Sequence, residues 1–306
     1  MTILPPKSAS LLPQAAKLLA AHRAPAISAY ELARHVFVWA DRLAIPPKQL
    51  KTVWADLCGK LSEVRLLTPI DPIAQTRGYL LFGNGDASAA GVMCSLDPFA
   101  YVSHLSAMEY HGLTDRFSKV LYMTRPTRTQ WREQAQSRMA KDLGTRLQAY
   151  LDCGLPKLLP PTLERFGKTY VHFRERSHLG AFRLVEGSSL RVATIGRVFI
   201  EMIREPSLCG GMQHVADVYR REGKRYLQLI VDEVNQHGLA IDKVRAGFLL
   251  SEVGGLEHEV FAEWEKSAQR GGSQKLDPDE AYTPKFSKRW QLSINVPSIS
   301  LGDDNE

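Results

Sequence analysis

The segment that most constrains this chain runs from Pro46 to Leu67, PPKQLKTVWADLCGKLSEVRLL. Leu50, Val53, Trp54, Leu57, Leu61 and Val64 recur at helical spacing and predict one buried stripe. The other face is polar. Lys48, Gln49, Lys51 and Thr52 crowd the first turns, and Pro46 and Pro47 mark the start, where no backbone N–H is needed. A helix that presents cations with amide and hydroxyl donors at its N-terminal end suits a major groove. Any small helical bundle also carries amphipathic helices with lysines outside, so the neighbours of this helix decide between the two readings.

Those neighbours favour DNA. Leu11 to His22 reads as a short helix ended near Pro25. Ser28 opens a second one, and Glu31 completes a capping box for its first turn. The connection from Asp41 leads into the third helix, giving the order of a helix-turn-helix. Two apolar runs follow, Arg65 to Ile70 and Gly78 to Phe82, joined by the polar loop Asp71 to Arg77. They predict a β-hairpin, and a hairpin directly after a recognition helix is a wing, with Arg77 near its tip within reach of a phosphate or the minor groove. Residues 1–85 are therefore expected to form a winged helix-turn-helix domain. The DNA-binding residues expected from it are Lys48, Gln49, Lys51, Thr52 and Arg77.

Charge agrees by location. Residues 1–85 hold ten Lys/Arg against five Asp/Glu, a net of +5 within a whole-chain net of +6. The basic character thus sits in the unit expected to neutralise phosphates. Four cysteines, Cys58, Cys94, Cys153 and Cys209, lie singly with no CxxC pair, which predicts reduced, buried thiols. No apolar run is long enough to span a bilayer, and MTILPPKSAS lacks the zones of a signal peptide, so a cytoplasmic protein is expected.

Asn84 to Gly91 reads as a linker, and residues 92–306 as a mixed α/β second domain, α+β overall. Within it the sequence predicts a sheet-rich part over about 92–193, a helical lobe over about 194–266 and a C-terminal strand over about 288–297. Asp97-Pro98 predicts the start of a helix that Gly112 stops. His104 and His111 on it would stand ~10 Å apart along the axis, too far to share a metal, which favours structural roles. KVLYMT at Lys119–Thr124 predicts a strand, and the cationic run after it includes Arg125, Arg128 and Arg132. By default that run is a solvated helix face. The sharper alternative is a second basic contact for DNA backbone or a partner. Strands follow at 168–173, 180–185 and 190–193, then a helix capped by Thr194, two helices over 212–220 and 224–236, and another over 240–250.

Taken together, the N-terminal pattern, YVSHLSAMEYHGLTD from Tyr101 to Asp115, LRVATIGRVFIEMIREPSLCGG from Leu190 to Gly211 and RGGSQKLDP near the end resemble the AbiEi family of antitoxin-repressors from toxin–antitoxin operons of abortive infection (phage defence). The resemblance covers most of the chain. It implies a transcriptional repressor that binds inverted-repeat promoter DNA of its own operon through the winged helix. It further implies a second domain that counteracts a nucleotidyltransferase-type toxin, with or without a physical complex, and it leaves dimeric binding and two monomers on one repeat both open. One departure is the connection Asp41 to Pro47, longer and richer in proline than the tight turn of such modules.

No catalytic residue, cofactor or metal is expected. Gly187-Ser188-Ser189 is not followed by the paired carboxylates that a nucleotidyl transfer needs to hold its divalent ion. The alternative is a DNA-guided nuclease or nucleic-acid-modifying enzyme built on Asp217, Glu222 and Lys224. These residues fall on a helix, where a surface reading is the simpler one.

Overall fold

A computed structural model describes residues 9–70, 77–268 and 274–299. The chain begins α1 (Leu12–Ala21), β1 (Ala26–Ser28), α2 (Ala29–Arg42), α3 (Leu50–Glu63), β2 (Leu67–Pro69) and β3 (Gly78–Leu81). Ser28 caps α2 by accepting from the Glu31 amide at 3.1 Å, which is the Ser28 half of the expected capping box. β1 is an addition to the sequence reading. It pairs antiparallel with β3, placing Ile27 opposite Tyr79, and makes the small sheet three-stranded in the order β1-β3-β2. At three residues it is too short to show an alternating pattern.

α3 is shorter than the predicted segment. A 3₁₀ turn, Pro47–Gln49, precedes it, and the helix closes at Glu63. Leu50, Val53, Leu57 and Leu61 are buried with Cys58, whereas Val64, expected in the stripe, is 57% exposed. The reason is a Schellman ending: the Leu66 amide donates to Leu61 O and the Arg65 amide to Ser62 O, with Arg65 at φ 58° turning the chain away. The same device closes α2, where Ile45 N donates to Ala40 O, Ala44 N donates to Asp41 O, and Ala44 sits at φ 51°. Ile45 is thereby buried, so the long connection after Asp41 is a fixed turn followed by the Pro46 entry to α3.

The remaining elements are α4 (Ala89–Leu96), β4 (Tyr101–Val102), α5 (His104–Tyr110), β5 (Val120–Pro126), α6 (Arg128–Leu143), α7 (Leu147–Asp152), β6 (Arg165–Phe166), β7 (Thr169–Arg176), β8 (Phe182–Leu184), β9 (Arg191–Ala193), α8 (Ile195–Arg204), α9 (Met212–His237), α10 (Ala240–Phe248), α11 (Phe261–Glu265), β10 (Phe286–Ser287) and β11 (Leu292–Ser293). Six strands form one mixed sheet in the order β6-β7-β5-β4-β9-β8, and the fold class is α+β. Among the described residues, no helix is long and apolar enough to cross a membrane.

Several sequence expectations give way here. The linker contains the start of α4, whose first turn Ser88 caps by accepting from the Gly91 amide at 3.1 Å. Asp97 ends this helix instead of opening the next. The Arg191 guanidinium gathers the carbonyls of Cys94, Asp97 and Ala100 there, and the Asp97 carboxylate accepts from Phe99 N and from Trp131 Nε1, each at 3.0 Å. Asp-Pro marks a turn as readily as a helix start. The expected helix up to Gly112 is accordingly split into β4 and α5. The two helices expected over 212–236 are one continuous α9, with Gly223 buried inside it.

Buried side chains do not divide where the sequence suggested. One core joins α1–α3, β2 and β3 with Trp131, Ala135, Met139 and Leu143 of α6, Tyr150 of α7, and Leu155 and Leu158 beyond it. Tyr150 meets Tyr30 and Phe37 edge-on at 6.0 and 5.3 Å, and Arg146 pairs with Asp41 at 3.2 Å. A second core joins the large sheet, α5 and α8–α11 with the segment carrying Trp290, Ile294 and Ile299. Residues 128–158 thus pack with the front of the chain, although a two-part boundary at 85 and 92 assigns them to the rear.

Candidate nucleic-acid interface

Lys48 and Gln49 lie in the 3₁₀ turn, and Lys51 and Thr52 in the first turn of α3; all four are exposed. Pro46 at φ −62° and ψ 138° leads the chain into this turn from outside, while Leu50 and Val53 anchor it from within. No acidic side chain occupies the first turn of α3. Lys48 and Lys51 have no ion-pair partner among the described residues; the first acid along the helix, Asp56, pairs with Lys60 at 2.7 Å. The stem of Lys51 passes the turn at Gly154, where an added Cβ would stand 3.5 Å from Lys51 Cδ. The result is a cationic, hydrogen-bonding ledge of four residues, open to solvent and fixed to a packed core.

Arg77 is placed elsewhere. Its guanidinium donates to Pro160 O, and its own carbonyl accepts from the Ala29 amide at 3.0 Å, so it is half-buried at the start of β3. The loop 71–76, where the wing tip was expected, lies outside the described residues. Arg77 instead meets the second basic set. Arg77, Arg125, Arg128, Arg132 and Lys157 line one cleft of about 740 Å³ with the carboxylates Glu164 and Glu175. The second basic set therefore lines a concavity, with Arg128 and Arg132 on α6 still exposed to solvent as a helix face would be. Lys157 carries no signal in the sequence, because it stands alone in a proline-rich loop with no periodic pattern around it.

The histidines are structural. His104 opens α5 at φ 50°, and the Glu201 carboxylate accepts its amide at 3.0 Å. Glu201 is buried and also accepts from Arg197 Nε at 3.2 Å. The His104 ring lies 2.8 Å from Ser103 Oγ through Nδ1 and 3.0 Å from Glu205 through Nε2. Glu205 further takes Arg174 and Arg176 from β7. Burial pushes the Glu205 carboxyl up, but the His104 hydrogen bond and the charges of Arg176 and Arg174 pull harder and hold it at about 2. His111 Nε2 meets Ala193 O at 2.7 Å, and burial lowers the pKa of this ring.

No protein-family profile matches this chain, and no curated protein sequence matches it. Of the residues considered for a nuclease, Asp217 pairs with Arg220 at 2.9 Å and Glu222 with Arg221 at 2.9 Å along the surface of α9, and Lys224 is exposed one residue past the buried Gly223. No group of three or more His, Cys, Asp or Glu among the described residues is arranged to hold a metal ion. The four cysteines are free and buried, and burial pushes the Cys58 thiol up to about 11.

Proposed function

We propose that this chain is a DNA-binding autorepressor of the AbiEi type, with a front unit that acts as a winged helix-turn-helix and a remainder that counteracts a nucleotidyltransferase-type toxin. The observation that carries the DNA reading is the ledge: Lys48, Gln49, Lys51 and Thr52 exposed together at the leading end of α3. The order helix, strand, helix, helix, strand, strand, with the first strand paired to the last, supports it, since that arrangement backs a recognition helix with a sheet. The lysines serve as phosphate contacts that set register, and Gln49 and Thr52 read base edges. The partner is promoter duplex bearing inverted repeats, and no catalytic step is assigned to the protein.

Binding of the full chain to a duplex from upstream of its own reading frame, followed by fluorescence anisotropy, tests the reading. Gln49→Ala is expected to relax preference for that sequence over a scrambled duplex by ~10-fold. Unchanged affinity and unchanged preference would place the reading surface elsewhere. The antitoxin part is tested by co-expression with the nucleotidyltransferase frame that this reading expects beside it, where growth is expected only when this chain is present.

A further inference from the structure

The cleft that gathers Arg77, Arg125, Arg128, Arg132 and Lys157 lies along the seam between the two cores. Trp131, Met139 and Leu158 reach it from the front core, and Val171 and Phe173 belong to the side chains packed against the rear core. About 740 Å³ falls within the ~300–1,000 Å³ of small-molecule sites, which favour such seams and combine apolar walls with a few polar anchors.

Its cations are unevenly committed. Arg125 is tied down: it donates to Glu175 at 3.1 Å and stacks 4.2 Å over the Phe173 ring. Arg125 and Arg77 also donate to Pro161 O and Pro160 O, which fixes the loop wall in place before any ligand arrives. Arg128 is 86% exposed, with one distant contact to Glu175 at 3.7 Å. Arg132 and Lys157 are exposed and have no ion-pair partner among the described residues. A concave site with low-dielectric walls and an excess of uncommitted cations concentrates anions. Duplex DNA presents its phosphates on a convex surface, whereas apolar walls at this depth suit a compact ligand.

We propose that this seam binds a phosphorylated ligand of nucleotide size, its phosphates held by Arg128, Arg132 and Lys157 and its apolar or aromatic body laid against Leu158, Val171 and Phe173. The proposal stands independently of the DNA-binding reading. Titration calorimetry of the full chain tests it, with ATP, GTP, guanosine, tripolyphosphate and a short single-stranded oligonucleotide as probes.

At least one triphosphate is expected to bind at a single site with a Kd below ~1 mM. Guanosine and tripolyphosphate are each expected to bind more weakly. Arg128→Glu combined with Arg132→Glu is expected to weaken the nucleotide by ~10-fold or more, and Lys157→Glu to do the same from the loop side. Lys224→Glu, on α9, is expected to change nothing. The proposal is overturned if neither triphosphate gives a saturable heat, or if tripolyphosphate binds as tightly as the nucleotide. It is equally overturned if both cleft variants retain full affinity, or if only the oligonucleotide binds.

Discussion

At the leading end of α3, Lys48 and Lys51 stand in solvent beside Gln49 and Thr52, while between β4, α5 and α8 the polar groups of Arg197, Glu201, Glu205 and His104 are closed on one another. Both places are polar and both are built on helices. They differ in where the charge is satisfied. In the rear cluster every strong donor meets a carboxylate of the same chain, so the network holds the backbone, including the left-handed His104, and has little left for a partner. At the front the cations are left for something outside. Uncommitted charge on a rigid element, more than charge as such, marks a surface for recognition.

Variants can break this comparison. The largest effect is expected at Glu201→Ala, which leaves Arg197 buried without its carboxylate and frees the His104 amide; it should cost about 4 kcal/mol in urea unfolding. If stability were unchanged, the rear cluster would not be structural. Acid provides the next test. Glu205 has a folded pKa of about 2 against an ordinary 4.5, so its contribution is fully present above pH 4.5 and is lost as pH falls toward 2. Wild-type stability should drop by about 2 kcal/mol more than that of Glu205→Gln across this window. At the front, Lys48→Ala is expected to leave the melting temperature alone and to lower the salt slope of duplex binding by ~1.

The smallest effect sharpens the geometry. Ala44→Gly should stabilise the chain by about 0.5 kcal/mol, because a left-handed position at the end of α2 suits glycine. That position also shows what the sequence could and could not reveal. The turn after α5 was legible because its left-handed residue is Gly112, the usual mark of such an ending. The identical turns after α2 and α3 use Ala44 and Arg65, which carry no such mark, and so the sequence pattern alone carries α3 on to Leu67 and predicts Val64 to be buried. The caps at Ser28 and Thr194 were readable because the hydroxyl and its acceptor role are local.

The cleft was not readable. Arg77, Arg125 and Lys157 come together only through the docking of α6 and α7 onto the front core, a contact between distant parts of the chain. Asp97 gives a related case: besides the local bond from Phe99 N, it is fixed by Trp131 and Arg191, which lie far along the chain. The shared core also changes how the front unit has to be tested. Deleting residues 1–85 would strip Trp131, Met139 and Tyr150 of their packing, so surface substitutions are the cleaner instrument.

The most direct measurement compares two charge reversals in the full chain by their affinity for duplex from the chain's own upstream region. Lys48→Glu with Lys51→Glu is expected to weaken binding by ~100-fold, while Arg128→Glu with Arg132→Glu is expected to stay within ~3-fold of wild type. The opposite ranking, with the α3 variant binding normally and the cleft variant failing, would contradict the assignment of the α3 ledge as the surface that grips DNA.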